Sequence, residues 1–183
     1  MLAESLSLPE VRLFTPKRPA DARGYFMETW NRREFEKFGV ACDFVQDNQS
    51  SSTKAGTIRG LHYQAPPFAQ AKLVRVLSGS ILDVAVDARK SSPTFGKWAG
   101  AVLSADNGKI LLVPRGFLHG FVTREPDTVV AYKVDAYYDK ASDGAVRWND
   151  PRLAIDWGIA AEAAILSEKD AGAPIWDDFN SPF

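Results

Sequence analysis

Cysteine, histidine and methionine are scarce in this chain. Its 183 residues hold one cysteine, two histidines and two methionines. A lone Cys42 excludes an internal disulfide and a cysteine-based zinc site, and it reads as a small, partly buried apolar residue. An excess of either charge is also lacking. The 22 Lys and Arg nearly balance the 23 Asp and Glu, for a net charge of -1. Bulk electrostatics therefore give no pull toward nucleic acid or any other polyanion. No apolar run has the length of a membrane span, so no membrane association is expected. The first residues, MLAESLSLPEV, lack a basic segment followed by an apolar run, and the expected location is the cytoplasm. There is no internal repeat, low-complexity tract or linker, so residues 1–183 read as one domain.

What is present is a series of short apolar segments. Apolar residues make up 45% of the chain and charged residues 25%, ordinary values for a soluble globular protein. The segments VRLFTPK, TIRGLHYQ, AKLVRVLSG, SILDVAVDAR, WAGAVLS, GKILLVP, HGFVTRE and TVVAYKVDAYY are rich in Val, Ile, Leu and aromatics. Gly, Pro, Asn and Asp clusters separate them, as in an all-β sandwich or barrel. CDFVQDNQSSST reads as a strand running into a polar loop. NRREFEKFG is the best helix candidate: Asn31 caps it, Phe35 and Phe38 share a face, and Gly39 stops it. A helical turn is expected before SEKD. The fold class is therefore all-β, a double-sheet jelly roll with small peripheral helices.

Two stretches break the apolar rule. In GTIRGLHYQAPPFAQAKLVRVLSG, Arg59, His62, Gln64 and Lys72 sit among strand formers; in GKILLVPRGFLH, His119 is the only other histidine. Gly56, five residues and His62, then Lys72, six residues and Gly79, resemble the first motif of the cupins, a family of double-stranded β-helix jelly rolls. Gly108, five residues, Pro114-x-Gly116, two residues and His119 resemble the second. In cupin metal sites the first motif supplies two histidines and a glutamate. Here Gln64 replaces the second histidine and Lys72 falls near the glutamate position. An ammonium has no lone pair to donate and repels a cation, so the pattern predicts a barrel mouth without metal. Two histidines beside a fixed positive charge suit a reaction that builds negative charge, such as enolate formation next to a carbonyl.

A narrower resemblance covers roughly Pro9 to Pro174. DARGYFMETW, FVQDNQSSS, RGLHYQAPPFAQAKLVRVLSG, ILDVAVDAR, SPTFGKW, LSADNGKILLVPRGFLHGF, AYKVDAYY, WNDP and SEKD resemble the dTDP-4-dehydrorhamnose 3,5-epimerase family. That resemblance implies a homodimeric enzyme, free of metal and cofactor, acting on a dTDP-sugar. It would invert carbons 3 and 5 of dTDP-4-dehydro-6-deoxy-D-glucose. Single epimerisation, or a sugar-binding cupin without chemistry, remain as alternatives.

The same resemblance implies roles. His62 is the general base, Lys72 stabilises the enolate oxygen, and Tyr132 is the general acid. Asp170 orients the base; Asp83, inward on its strand by alternation with Ile81 and Ala85, is the rival for that role. Arg23, Glu28, Gln46, Asp47 and Asn48 resemble substrate contacts, and Arg59 a diphosphate contact. His119 lies by the sugar, Tyr138 lines the pocket while Tyr137 is structural, and Asp143 and Glu168 are further binding positions. The N-terminal segment, residues 1–50, contributes to the dimer, with Arg23 and Glu28 reaching the partner's pocket.

Overall fold

A computed structural model describes all 183 residues. Thirteen strands and two short helices follow one another: β1 (Leu2–Ser5), β2 (Arg12–Thr15), β3 (Ala20–Asp21), β4 (Gly24–Tyr25), α1 (Arg32–Glu36), β5 (Gln46–Ser52), β6 (Ile58–Gln64), β7 (Lys72–Ser78), β8 (Ser80–Asp87), β9 (Trp98–Ser104), β10 (Ile110–Val113), β11 (Phe117–Thr123), β12 (Thr128–Val134), β13 (Asp143–Ala145) and α2 (Glu168–Ala171). They form a six-stranded sheet in the order β1-β2-β10-β7-β12-β5, a five-stranded sheet in the order β13-β6-β11-β8-β9, and a small β3-β4 hairpin. All the named strand pairs are antiparallel. This is the expected jelly roll. No helix is long and apolar enough to cross a membrane.

Period-two patterning explains the layers. Val74 and Val76 of β7 face the other sheet, where they join Ile81, Ala85, Leu111, Phe117, Phe121 and Val130 in the central core. Leu73 points the opposite way, against Phe14, Phe35, Ile110 and Leu112 under the α1 segment. Behind the five-stranded sheet, Val84, Val86, Leu118 and Val122 meet Trp148, Leu153 and Trp157 of the C-terminal tail. With both faces covered, β11 is buried at all seven positions, and its sequence is correspondingly apolar. Each large side chain fully buried this way stabilises the fold by roughly 1.5–3 kcal/mol.

Helix α1 forms as the sequence predicts. Asn31 Oδ1 accepts from the Arg33 N–H at 3.1 Å, Phe35 is buried against Phe14, and Gly39 takes a positive φ of 75°. The helical turn expected before SEKD is a 3-10 turn at Ala161–Ala163, and SEKD itself opens α2. Four expectations need correction. Leu2–Ser5, not expected as a strand, pairs with β2 at the sheet edge, exposed throughout. The polar run Gln46–Ser52 is a strand and not a loop: it pairs with β12 along its whole length. Cys42 and Phe44, read as strand, instead pad the back of the six-stranded sheet. Finally, β12 stops at Val134, because Asp135 turns to accept the Ala71 N–H at 2.6 Å and an Arg115 N–H.

Two glycines let β6 and β11 approach. A Cβ on Gly60 would lie 2.4 Å from the Gly120 Cα, and Gly60 has φ +141°. The ladder shifts register at this point, between His119 and Phe121. Gly60→Ala is therefore expected to cost well over 2 kcal/mol, combining backbone strain with a backbone clash. Gly158→Ala, at φ +69° with nothing within 4 Å, has strain alone and should cost about 1 kcal/mol. Denaturant melts of the two variants check the difference; equal losses would contradict the close-approach account.

Candidate active site

The two sheets part at one end and enclose a cavity of about 380 Å³. Its walls come from both sheets and from the tail. Arg59 and His62 stand on β6, His119 and Phe121 on β11, Lys72 on β7, and Tyr132 on β12. His62 and His119 are cross-strand partners, so both rings project from the same face of the five-stranded sheet. Lys72 and Tyr132 belong to the opposite sheet and share its inner face with Val74 and Val134. The cavity thus has two histidines on one wall and a lysine and a phenol on the other.

The tail closes the site. A parallel bridge joins Thr57 to Ile165, with Ile165 N–H donating to Gly56 O and Ile58 N–H to Ile165 O, each at 2.9 Å. Ser167 then caps α2, its Oγ accepting from the Asp170 N–H at 3.1 Å. This delivers the buried Asp170 carboxylate to 2.5 Å from His62 Nε2, across 108 residues of sequence. Burial alone would raise the Asp170 pKa. Hydrogen bonds from His62, Ser167 and the Gly60 backbone, with the attraction of His62, outweigh it and hold the carboxyl below its ordinary value. Asp170 therefore stays ionised beside the ring, and the second ring nitrogen of His62 is left free.

The rivalry between Asp170 and Asp83 resolves by geometry. Asp83 is fully buried and binds the other histidine, with His119 Nε2 at 2.7 Å from its Oδ1. Burial lowers the His119 pKa despite the attraction of Asp83, so the ring is neutral near pH 7. Burial likewise lowers Lys72, to about 8, against the pull of Asp83 and Asp143. Tyr132 moves the other way: burial raises its phenol, so it holds its proton at neutral pH.

Other expected site residues fall into three groups. Arg59 lines the cavity and anchors on β5, donating to Ser51 O at 2.9 Å and Ser52 Oγ at 3.3 Å. Gln46, Asn48, Tyr138 and Asp143 do not line the cavity but connect to residues that do: Gln46 Nε2 donates to Asn48 Oδ1 at 2.8 Å, Gln46 Oε1 accepts the Tyr138 N–H, and Asn48 is the cross-strand partner of Tyr132. Tyr138 and Lys169 both donate to Asp143 Oδ2, at 3.3 and 2.5 Å, and Lys169 lines the cavity. Four residues lie elsewhere. Asp47 alternates to the far face of its sheet and pairs with Lys133 at 2.8 Å. Glu168 is exposed, two helix positions before the inward-facing Asp170. Arg23 is at the β3-β4 turn, ion-paired to Asp21 with its side chain 90% exposed, and Glu28 is exposed beyond that hairpin. None of these four lines this chain's own cavity.

Sequence reasoning passed over Lys169 and Ser50, which line the cavity. Lys169 had a signal, since it adjoins Asp170 in SEKD. Ser50 had none while its segment was read as a loop. Gln64, where a cupin ligand would stand, ties down two loops: its Nε2 donates to Phe68 O and Tyr137 O, and its Oε1 accepts the Asp139 N–H. No three His, Cys, Asp or Glu side chains converge as a metal-ligand set.

Fold and cleft together define a cupin-type jelly roll equipped for proton transfer. The chain belongs to the dTDP-4-dehydrorhamnose 3,5-epimerase family, whose sequence profile matches residues 5–178. It is 48% identical to the dTDP-4-dehydrorhamnose 3,5-epimerase of Sinorhizobium fredii over 174 residues, 95% of this chain and 89% of that one. A Bacillus anthracis enzyme of the same name, crystallised with TDP and PPi bound, is 51% identical. It superposes with a TM-score of 0.88, covering 91% of this chain and 94% of its own. The Legionella pneumophila dTDP-6-deoxy-D-glucose-3,5-epimerase, in complex with dTDP-4-keto-L-rhamnose, is 41% identical. Its TM-score is 0.93, with 98% and 94% coverage.

The half-buried Lys72 gives a stability prediction. Folded Lys72 titrates at about 8 against an ordinary 10.5. Between these values the unfolded chain binds a proton that the folded chain has released, so this group makes stability rise with pH across that window. Below pH 8 the folded protein carries the cost of a desolvated charge. Lys72→Met should therefore stabilise the protein at pH 7 by up to about 3 kcal/mol, and the gain should vanish by pH 10.5. Chemical melts at both pH values check it; a variant less stable than wild type at pH 7 would refute the cost.

Proposed function

We propose that this cavity inverts carbons 3 and 5 of dTDP-4-dehydro-6-deoxy-D-glucose, giving dTDP-4-dehydro-L-rhamnose. The observation that carries the reading is the pairing of His62 with Asp170 on one wall and a protonated Tyr132 on the other, with Lys72 in the same cavity. Both carbons flank the ketone at carbon 4, so the carbonyl acidifies their hydrogens and one set of groups serves both. His62 takes the proton through its free nitrogen, and the Asp170 carboxylate stabilises the imidazolium that results. The electron pair moves onto the carbonyl oxygen, where the Lys72 ammonium offsets the new charge in a site shielded from bulk water. Tyr132 returns a proton to the same carbon from the opposite face. Proton exchange with water then resets His62 and Tyr132 for the second carbon.

Arg59 and Lys169 place two cations where a diphosphate would enter, and guanidinium geometry suits phosphate oxygens. Gln46, Asn48, Tyr138, Asp143 and His119 supply polar contacts around the sugar and nucleotide. The protein acts as a homodimer in this reading. The β3-β4 hairpin exposes Tyr25 and Phe26, the latter at 73%, which supports an interface there. Arg23 and Glu28 then complete the partner's cavity.

Isotope labelling, single variants and mixed dimers test this. In deuterated water the enzyme should place label at both carbons; label at one alone would sink the double inversion. His62→Ala should lose about a thousandfold in rate. Tyr132→Phe should lose inversion while still exchanging a proton on the His62 face. Exchange with retention there is the signature of a split base and acid, and unaltered inversion would refute the assignment. For the shared site, Arg23→Ala and His62→Ala homodimers are each expected to be nearly inactive. Mixing and refolding them should restore about a quarter of wild-type activity, because half of the dimers carry one intact site. No recovery would count against exchange of the N-terminal segment.

A further inference from the structure

Asp83 has no part in the chemistry above, yet it is among the most buried charged groups in the molecule, with no exposed surface. One carboxylate oxygen accepts from His119 Nε2 at 2.7 Å; the other, Oδ2, is buried without any partner. A buried carboxylate oxygen left bare is costly unless a nearby charge compensates it. Lys72 supplies the complementary anomaly. It projects from the opposite sheet into the same cleft, and its ammonium makes no hydrogen bond or ion pair within 4.0 Å, unlike the cavity-lining Lys169, which pairs with Asp143.

The other ionisable groups around Lys72 do little to hold its charge. On β6 stand His62, already given to Asp170, and Arg59, itself a cation; on α2 Lys169 repels it. On β12 Tyr132 is neutral, and on β11 His119 is neutral and spent on Asp83. On β13 the Asp143 carboxylate is taken up by Lys169 and Tyr138. That leaves Asp83, the strongest attraction acting on the Lys72 ammonium.

We propose that Asp83 is a positioning residue: its buried carboxylate fixes the tautomer of His119 and keeps Lys72 positively charged for the enolate. Because a carboxylate only accepts, the His119 nitrogen facing it must carry the hydrogen. The ring's second nitrogen is then a bare acceptor, able to take a hydrogen bond from a sugar hydroxyl. Asp83 touches no reacting atom. It acts through the two side chains that do, by a hydrogen bond to His119 and by charge attraction to Lys72. This inference rests on the epimerase reading for the role of Lys72, although the electrostatics concern the protein alone.

The test is the pH dependence of kcat/KM for solvent-deuterium incorporation in wild type, Asp83→Asn, Lys72→Arg and the double variant. Wild type should lose activity on the alkaline side near pH 8, as Lys72 loses its proton. Asp83→Asn should move that limb down by a unit or more, with KM changed less than threefold. In the Lys72→Arg background, where the cation cannot titrate, Asp83→Asn should leave no limb to move. An unmoved limb in Asp83→Asn overturns the proposal. Failure of the epimerase reading would show differently, as wild type without isotope incorporation. In that case an NMR titration of the Lys72 ammonium in wild type and Asp83→Asn still decides, an unchanged midpoint being the refuting result. If Asp83→Asn does not fold, Asp83→Asn with Lys72→Met is decisive. Recovery of folding supports charge compensation, and continued failure makes Asp83 merely structural and overturns the idea.

Discussion

Holding Lys72 half-buried between two β-sheets is the constraint around which the cleft is arranged. A charged side chain taken out of water is costly unless it is paired, and a pair seldom repays the whole cost. The cleft holds five such groups close together. His62 is matched with Asp170 and His119 with Asp83, each histidine with its own carboxylate. Lys72 is left over, without a direct partner. Its titration near 8 records that imbalance, because desolvation outweighs every attraction the protein supplies. A protein selected for stability alone would put an apolar residue there. Retaining a cation there fits the proposed reaction through an anionic intermediate.

The surrounding fold makes that arrangement possible. Half of the sandwich interior is a conventional apolar core, and the other half is given to the cleft. The lost burial is made up on the outer faces, where the α1 segment covers one sheet and the C-terminal tail covers the other. Two-sided burial also fixes β8 and β11, the strands that carry Asp83 and His119. Side chains on such strands are held more precisely than side chains on loops. Asp170 arrives instead on a helix of four residues, too short to be stable alone. The parallel bridge at Ile165 and the cap at Ser167 place it. This four-residue helix therefore depends on the sheet for the accuracy with which it sets Asp170 against His62.

Much of the architecture was legible in the residues. Alternating Val, Ile and Leu marked the interior strands, and Asn31 and Gly39 marked both ends of α1, because these signals are local. β5 was not legible. QDNQSSS is polar on both faces, one facing the cleft and the other facing solvent, so no hydrophobic period reveals it as a strand. β1 escaped for a related reason: all four of its residues are exposed. The site divided in the same way. His62, Lys72, Arg59 and His119 could be found from spacing and resemblance. Asp47 and Glu168 fall outside this chain's cavity, because strand alternation and helix rotation turn their side chains to other faces.

The sequence by itself determined the chemistry on offer: two histidines, a lysine where a metal-ligating glutamate would stand, and the strands that carry them. It did so because residue type and short spacing are local properties. Only the tertiary structure decided which carboxylate serves which histidine. On paper Asp170 is favoured by resemblance alone, and Asp83 stands as its rival by strand alternation. Strand register gives Asp83 to His119, and the tail docked beside β6 gives Asp170 to His62. That choice depends on contacts between residues 36 and 108 positions apart, which no local pattern encodes.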